Sequence, residues 1–147
     1  MQIHSATPAD IPELVVLLGH LFAQEAEFQP DIDAQTRGLT RIVEDARVGT
    51  ILLARQQDKV IGMVNLLYTI STALGEPVAL LEDMVVAPDA RGVGAGSQLL
   101  QAAIAHAREK GCKRITLLTD TTNAAAQRFY ARHGFEPSSM LPMRCQL

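Results

Sequence analysis

The sequence has no tryptophan and only 4% aromatic residues, so its core has to be assembled from Leu, Ile, Val and Ala. Its two cysteines, Cys112 and Cys145, lie too far apart for a CxxC or zinc-ligand spacing, and reduced thiols in a cytoplasmic protein are the expectation. The four histidines, His4, His20, His106 and His133, form no ligand-spaced group, which predicts no metal site. There is no surplus of positive charge: the net charge is -3, whereas a nucleic-acid surface is basic, so nucleic acid is not expected as a partner. No apolar run reaches the length of a membrane span. The opening segment, residues 1–5, lacks the basic-then-apolar pattern of a secretory signal.

What is present is the balance of a folded domain. Hydrophobic residues make up 48% and charged residues 20% of 147 residues, which suits one domain over 1–147. Residues 2–6 read as a short strand. Thr7 and Pro8 mark a helix start, with Asp10 returning the capping bond, and Ile11, Leu14, Val15, Leu18, Leu21 and Phe22 follow at helical spacing. A second helix is predicted over 34–46. The period then changes to that of strands over 50–55 and 60–69, joined by Gln56-Gln57-Asp58-Lys59 as a hairpin turn, and again over 78–87. A helix opening near Gly96 and stopped by Gly111, a strand over 114–119, a helix over 123–133 and a last strand over 140–147 complete the order βααβββαβαβ. That order predicts an α+β fold, close to α/β in character: a mixed central sheet flanked by helices.

The densest information lies where the third long strand ends, at Val85-Val86-Ala87-Pro88-Asp89-Ala90-Arg91-Gly92-Val93-Gly94-Ala95-Gly96-Ser97. Alternating glycines let backbone approach a ligand with no Cβ in the way. The unpaired N–H groups of the helix that follows favour phosphate oxygens, and Arg91 adds a cation at the mouth. A P-loop would need Lys before Ser97, and a dinucleotide fingerprint would need Gly at that position.

This stretch resembles motif A of the GNAT superfamily of acetyl-CoA-dependent N-acetyltransferases, Gln/Arg-x-x-Gly-x-Gly/Ala, at Arg91, Gly94 and Gly96. The run from Asn123 through Phe129-Tyr130 to Gly134-Phe135 resembles the superfamily's later segment. The element order is similar too, so the likeness covers nearly the whole chain. The resemblance implies acetyl-CoA as cosubstrate, its pyrophosphate on the backbone of Gly92, Val93, Gly94, Ala95, Gly96 and Ser97. It implies a pantetheine arm paired with the main chain of Met84, Val85 and Val86, and an Asn123 that caps its helix or bonds that arm. Tyr130 is then the candidate general acid for the departing thiolate.

Glu82 and Asp83 interrupt an apolar strand. Strict alternation puts them on opposite faces, and one of them is expected in a wet cleft. Glu82 matches a position that serves as base in some relatives; binding substrate or ordering water is the equal alternative. Glu25, Glu27, Asp31 and Asp33, with Phe22 and Phe28 beside them, suit a cationic amine, or else form a solvated helix end. Phe22, Glu25, Phe28 and Asp83 are the candidate substrate residues. The Leu81-Glu82-Asp83 segment resembles the polyamine acetyltransferase branch. Acetylation of a small-molecule amine is the leading expectation; a protein acetyltransferase and a non-catalytic acyl-CoA sensor are the alternatives. The resemblance also implies a homodimer, through the last strands.

Overall fold

The computed structural model describes residues 1–24 and 30–147. In chain order its elements are β1 (Gln2–Ser5), a 3-10 turn at Pro8–Asp10, α1 (Ile11–Gln24), α2 (Ile32–Val43), β2 (Gly49–Gln56), β3 (Lys59–Ser71), β4 (Glu76–Val86), a second 3-10 turn at Pro88–Ala90, α3 (Ala95–Glu109), β5 (Ile115–Leu117) and α4 (Ala124–Arg132). The strands form one five-stranded sheet in the order β1-β2-β3-β4-β5. Pairing is antiparallel as far as β4 and parallel between β4 and β5. A parallel pair needs a crossover connection, and α3 supplies it. This is the mixed, helix-flanked sheet expected from the element order.

Local chemistry fixes the joints. The β2–β3 turn puts Gln57 and Asp58 at φ 51° and 61°, the left-handed pair of a two-residue hairpin. The Thr7 N–H donates to the Asp10 carboxylate at 2.8 Å. Arg55 of β2 donates to the same side chain at 2.8 Å, and Glu13 accepts from the Val60 N–H at 3.0 Å. The start of α1 is thereby tied to the hairpin. Asp31 caps α2 by accepting from the Ala34 N–H at 3.1 Å, which starts that helix two residues earlier than the predicted 34.

The sheet separates two apolar layers. On one side Val64, Leu66, Ala79 and Leu81 pack under Leu99, Leu100 and Ala103 of α3. On the other, Leu53, Met63 and Val85 meet Leu14, Leu17 and Leu18 of α1 and Leu39 of α2. Leu14, Leu53, Met63, Leu66, Leu99 and Leu100 are fully buried, each contributing roughly 2–3 kcal/mol of transfer free energy. Gly62 lets α3 sit close to the sheet, because a Cβ there would stand 2.8 Å from Leu99 Cδ1.

The predicted strand over 140–147 does not form. Pro142 removes a donor from the segment, and Met140, Leu141 and Met143 stand 81–91% exposed. The fold class is unaffected, since the sheet closes on β5 without it.

Candidate active site

The site is built around an irregularity in β4. Its ladder with β3 runs Gly62↔Val86, Met63↔Val85 and then Asn65↔Glu82. Two steps along β3 thus match three along β4, so β4 carries one extra residue, a β-bulge. Asp83 takes up the bend at φ 53°, a conformation that Asp adopts at lower cost than most residues.

The bulge corrects the expectation that Glu82 and Asp83 point to opposite faces. Glu82 pairs across the ladder with Asn65, and the Asn65 amide donates to the Asp83 carboxylate at 3.3 Å. Both acids therefore stand on the face that carries α1 and α2. Burial raises the Asp83 carboxyl above its ordinary range, with the Asn65 bond offsetting part of the rise. Glu82 has an exposed outer side, yet loss of water around its carboxyl, followed by the charge of Asp83, lifts it as well.

Beyond the bulge β4 loses its other neighbour. The β4–β5 ladder ends at Leu81↔Leu117, so among the described residues Met84, Val85 and Val86 have a strand partner only on the β3 side. Met84 and Val86 pack into the α3 layer and Val85 into the opposite one. Their side chains are core residues, and their β5-facing main chain is an open edge.

The glycine turn lies at the end of this edge. Gly92 and Gly94 adopt φ 88° and 81°, and Gly94 is the residue preceding the first turn of α3, with no side-chain cap. The N–H groups of Ala95, Gly96 and Ser97 are the first of the helix and have no intrahelical acceptor. A Cβ on Gly92 or Gly94 would meet nothing within 4 Å, so the surface above them is clear. Val93 and Arg91 are exposed at its rim. Open amides at the positive end of a helix, without side chains in front, fit a diphosphate. Gly96 sits closer in: a Cβ there would stand 3.6–3.8 Å from Phe129, Val86 and Met84.

That contact joins the turn to α4. Asn123 caps α4 by accepting from the Ala126 N–H at 3.0 Å. Gly134 ends it at φ 91°, with the Phe135 N–H returning to the Tyr130 carbonyl at 3.1 Å. Tyr130 is held edge-on by Phe129 and Phe135, with ring centroids 5.3 and 5.8 Å away. Burial raises its phenol above the ordinary value, so it carries its proton at neutral pH.

Sequence reasoning missed three residues of this region. His133 Nε2 lies 3.3 Å from Ser97 Oγ, linking the end of α4 to the start of α3. Asn65 is buried at 2% exposure, and its Oδ1 has no hydrogen-bond partner among the described residues. Gln35 of α2 is buried at 9% exposure with both amide atoms unpartnered among those residues. A lone Asn in the apolar run of β3 was a signal in the sequence; a polar residue on a helix face was not.

Gln35 lines a cavity of about 280 Å³ between α1, α2 and β4, together with Leu18, Phe22, Asp31, Ala34, Gly38, Leu39, Ile42 and Asp83. Phe22 and Asp83, two of the candidate substrate residues, are thus brought to one cavity. Glu25 and Phe28, the other two, lie outside the described residues, as does Glu27. Asp31 lines the cavity as the cap of α2, while Asp33 stays exposed. No group of His, Cys, Asp or Glu suited to a metal ion occurs among the described residues, and no helix among them is long and apolar enough to cross a membrane.

Known proteins are similar to this chain in sequence and in fold. The uncharacterized N-acetyltransferase YhfO of Bacillus subtilis is 32% identical over 139 residues, covering 92% of this chain and 90% of that protein. The aminoalkylphosphonate N-acetyltransferase of Salmonella typhimurium is 29% identical and covers 93% of this chain and 86% of its own length. Among solved structures, an integron cassette protein from the mobile metagenome of Cole Harbour Salt Marsh superposes with a TM-score of 0.87 at 27% identity, over 99% of this chain and 90% of that one. The family model for the acetyltransferase (GNAT) family matches residues 17–135, a span that runs from α1 through the β4 bulge and the glycine turn to the end of α4. With more than half of its length matched, the chain belongs to the acetyltransferase (GNAT) family.

Proposed function

We propose that the protein moves an acetyl group from acetyl-CoA to a primary amine of a small molecule. The observation that carries this reading is the open β4 edge at Met84, Val85 and Val86, flanked by the glycine turn at one end and by the Asp83 cavity on the opposite face of the sheet. The turn from Gly92 to Ser97 would hold the diphosphate, with Arg91 at its rim. The β4 edge would pair with the amide-bearing arm, and Asn123, the cap of α4, would bond that arm. Acetyl-CoA supplies an activated thioester when bound.

The chain's own residues then handle protons and orientation. Asp83, lining the cavity, would hold the ammonium, and Glu82 on the same face would take up the one proton that it must lose before its nitrogen has a lone pair to offer. Tyr130, protonated and held by Phe129 and Phe135, gives its proton to the sulfur that leaves as the C–S bond breaks. The phenolate is restored from solvent. A relative named for aminoalkylphosphonate acetylation supports a small-molecule amine as the acceptor class. The exposed apolar side chains of the tail, Met140, Leu141 and Met143, support self-association as a homodimer, which sedimentation of the free protein tests.

The reaction itself is tested by CoA release from acetyl-CoA across polyamines, amino acids, aminosugars and short peptides. Turnover with the small amines is expected. Turnover with peptides alone would assign a protein substrate, and acetyl-CoA binding with no turnover on any acceptor would assign a sensor.

A further inference from the structure

The cavity between α1, α2 and β4 has two unlike ends and an apolar middle. Asp83 provides a carboxylate on the β4 side. Leu18, Leu39 and Ile42 provide hydrocarbon walls. Gln35 provides a carboxamide that is more than nine-tenths buried and has no hydrogen-bond partner among the described residues at either its oxygen or its nitrogen. An unmatched buried amide is unfavourable, and native folds rarely keep one without a reason. Gly38, one turn along the same helix, also lines the cavity, and a Cβ there would meet nothing within 4 Å. Gly in a helix interior costs stability relative to Ala, and here it leaves room.

We infer that Gln35 determines acceptor specificity: the cavity takes a compact primary amine with its ammonium at Asp83 and, across an apolar body, one uncharged group that both donates to and accepts from the Gln35 carboxamide. A hydroxyl or a carboxamide on the acceptor has that chemistry. A polyamine lacks it, because a second ammonium only donates and would give up water for a neutral amide. Among the described residues Asp31 also lines the cavity; its Oδ1 accepts from the Ala34 N–H at 3.1 Å, and the diamine arm of the test below reads whether its charge serves a second ammonium. The volume, about 280 Å³, lies at the small end of ligand cavities and suits an acceptor group the size of an aminoalkyl amide or amino alcohol. This inference rests on the acetyltransferase reading above and names the substrate class of that site.

The test is a matched series of acceptors at saturating acetyl-CoA: ω-amino carboxamides of several chain lengths, with alkylamines and α,ω-diamines of the same lengths. The best carboxamide is expected to exceed its alkylamine and diamine counterparts about tenfold in kcat/KM, the size of one hydrogen bond to a buried partner. Gln35→Leu removes the amide and keeps the volume; it is expected to abolish that preference while leaving acetyl-CoA affinity in place. Gly38→Leu is expected to lower kcat/KM for the longer acceptors at least tenfold, with acetyl-CoA affinity unchanged and thermal stability maintained or raised. A carboxamide preference that survives Gln35→Leu, or diamines as the best substrates, would overturn the inference and leave the acetyltransferase reading standing. Turnover of no amine by the unaltered protein would remove both.

Discussion

Asn65 of β3 and Asp83 of β4 meet across a ladder that is out of step by one residue, and the 3.3 Å bond between them holds the bulge in place. Burial holds the Asp83 carboxyl above its ordinary range, so the fold tolerates the neutral form better than the charged one. A raised carboxyl contributes stability that is fully present below its unfolded value and lost as pH rises through its folded value. Asp83→Asn is therefore expected to be more stable than the unaltered protein in urea unfolding at pH 7, with the gap closing toward pH 4. Its acceptor kcat/KM is expected to fall, and the acid limb of the pH–rate profile, set by the Glu82 and Asp83 carboxyls above the range of exposed acids, should change shape.

Tyr130→Phe keeps the ring between Phe129 and Phe135 and removes only the proton. Loss of a general acid costs about 10²–10⁴ in rate. The expectation is a fall of that order in kcat, with little change in acetyl-CoA affinity or melting temperature. Unchanged turnover would end the role assigned to this phenol.

Gly94 and Gly62 separate two uses of glycine. At Gly94 there is space but φ is 81°, so Gly94→Ala strains the backbone by about 1–2 kcal/mol and places a methyl where a diphosphate would sit. A weaker acetyl-CoA affinity in calorimetry is expected, with a small change in melting temperature. At Gly62 a Cβ would stand 2.8 Å from Leu99 Cδ1 and 3.1 Å from the Val85 carbonyl. Gly62→Ala should lower the melting temperature first, with acetyl-CoA affinity following only through the displacement of α3.

Burial pushes the Asp10 carboxyl up, but the Thr7 hydrogen bonds and then Arg55 outweigh it and hold the group below its ordinary value. The sign is opposite to that of Asp83. Its contribution is present above the unfolded carboxyl value and is lost as pH falls through the folded one. Arg55→Met should destabilise the protein at neutral pH, by about 1–3 kcal/mol for a partly buried charged pair, and make it less sensitive to acid in the range where Asp10 titrates. Chemical unfolding at a series of pH values measures both effects.

The parts of the molecule that were legible in the sequence are those where chemistry is local. Periods of 3.6 and 2 marked the helices and long strands, and Gly111, Asn123 and Gly134 marked helix ends by turn and capping rules that involve only near neighbours. The bulge was not legible, because an extra residue in β4 exists only in relation to the register of β3. Glu82 and Asp83 were assigned to opposite faces for that reason. The tail over 140–147 does not form the expected strand, because a strand needs a neighbour and free donors and Pro142 removes one of those donors. Gln35 looked like any polar residue on a helix, since nothing in α2 itself says that the amide would lack a partner. The acidic stretch at Glu25, Glu27, Asp31 and Asp33 divided: Asp31 serves α2 as its cap, and the first two lie outside the described residues.

The open edge of β4 has a consequence for how the chain survives with nothing paired to it. Main-chain donors and acceptors along Met84, Val85 and Val86 are aligned for one more extended backbone, and they do not discriminate among the chains that offer one. In a crowded, newly synthesised population that opening is a route to mispairing between molecules. A bound acyl donor would act there as a chaperone of the native fold, with aggregation on heating suppressed in proportion to its occupancy.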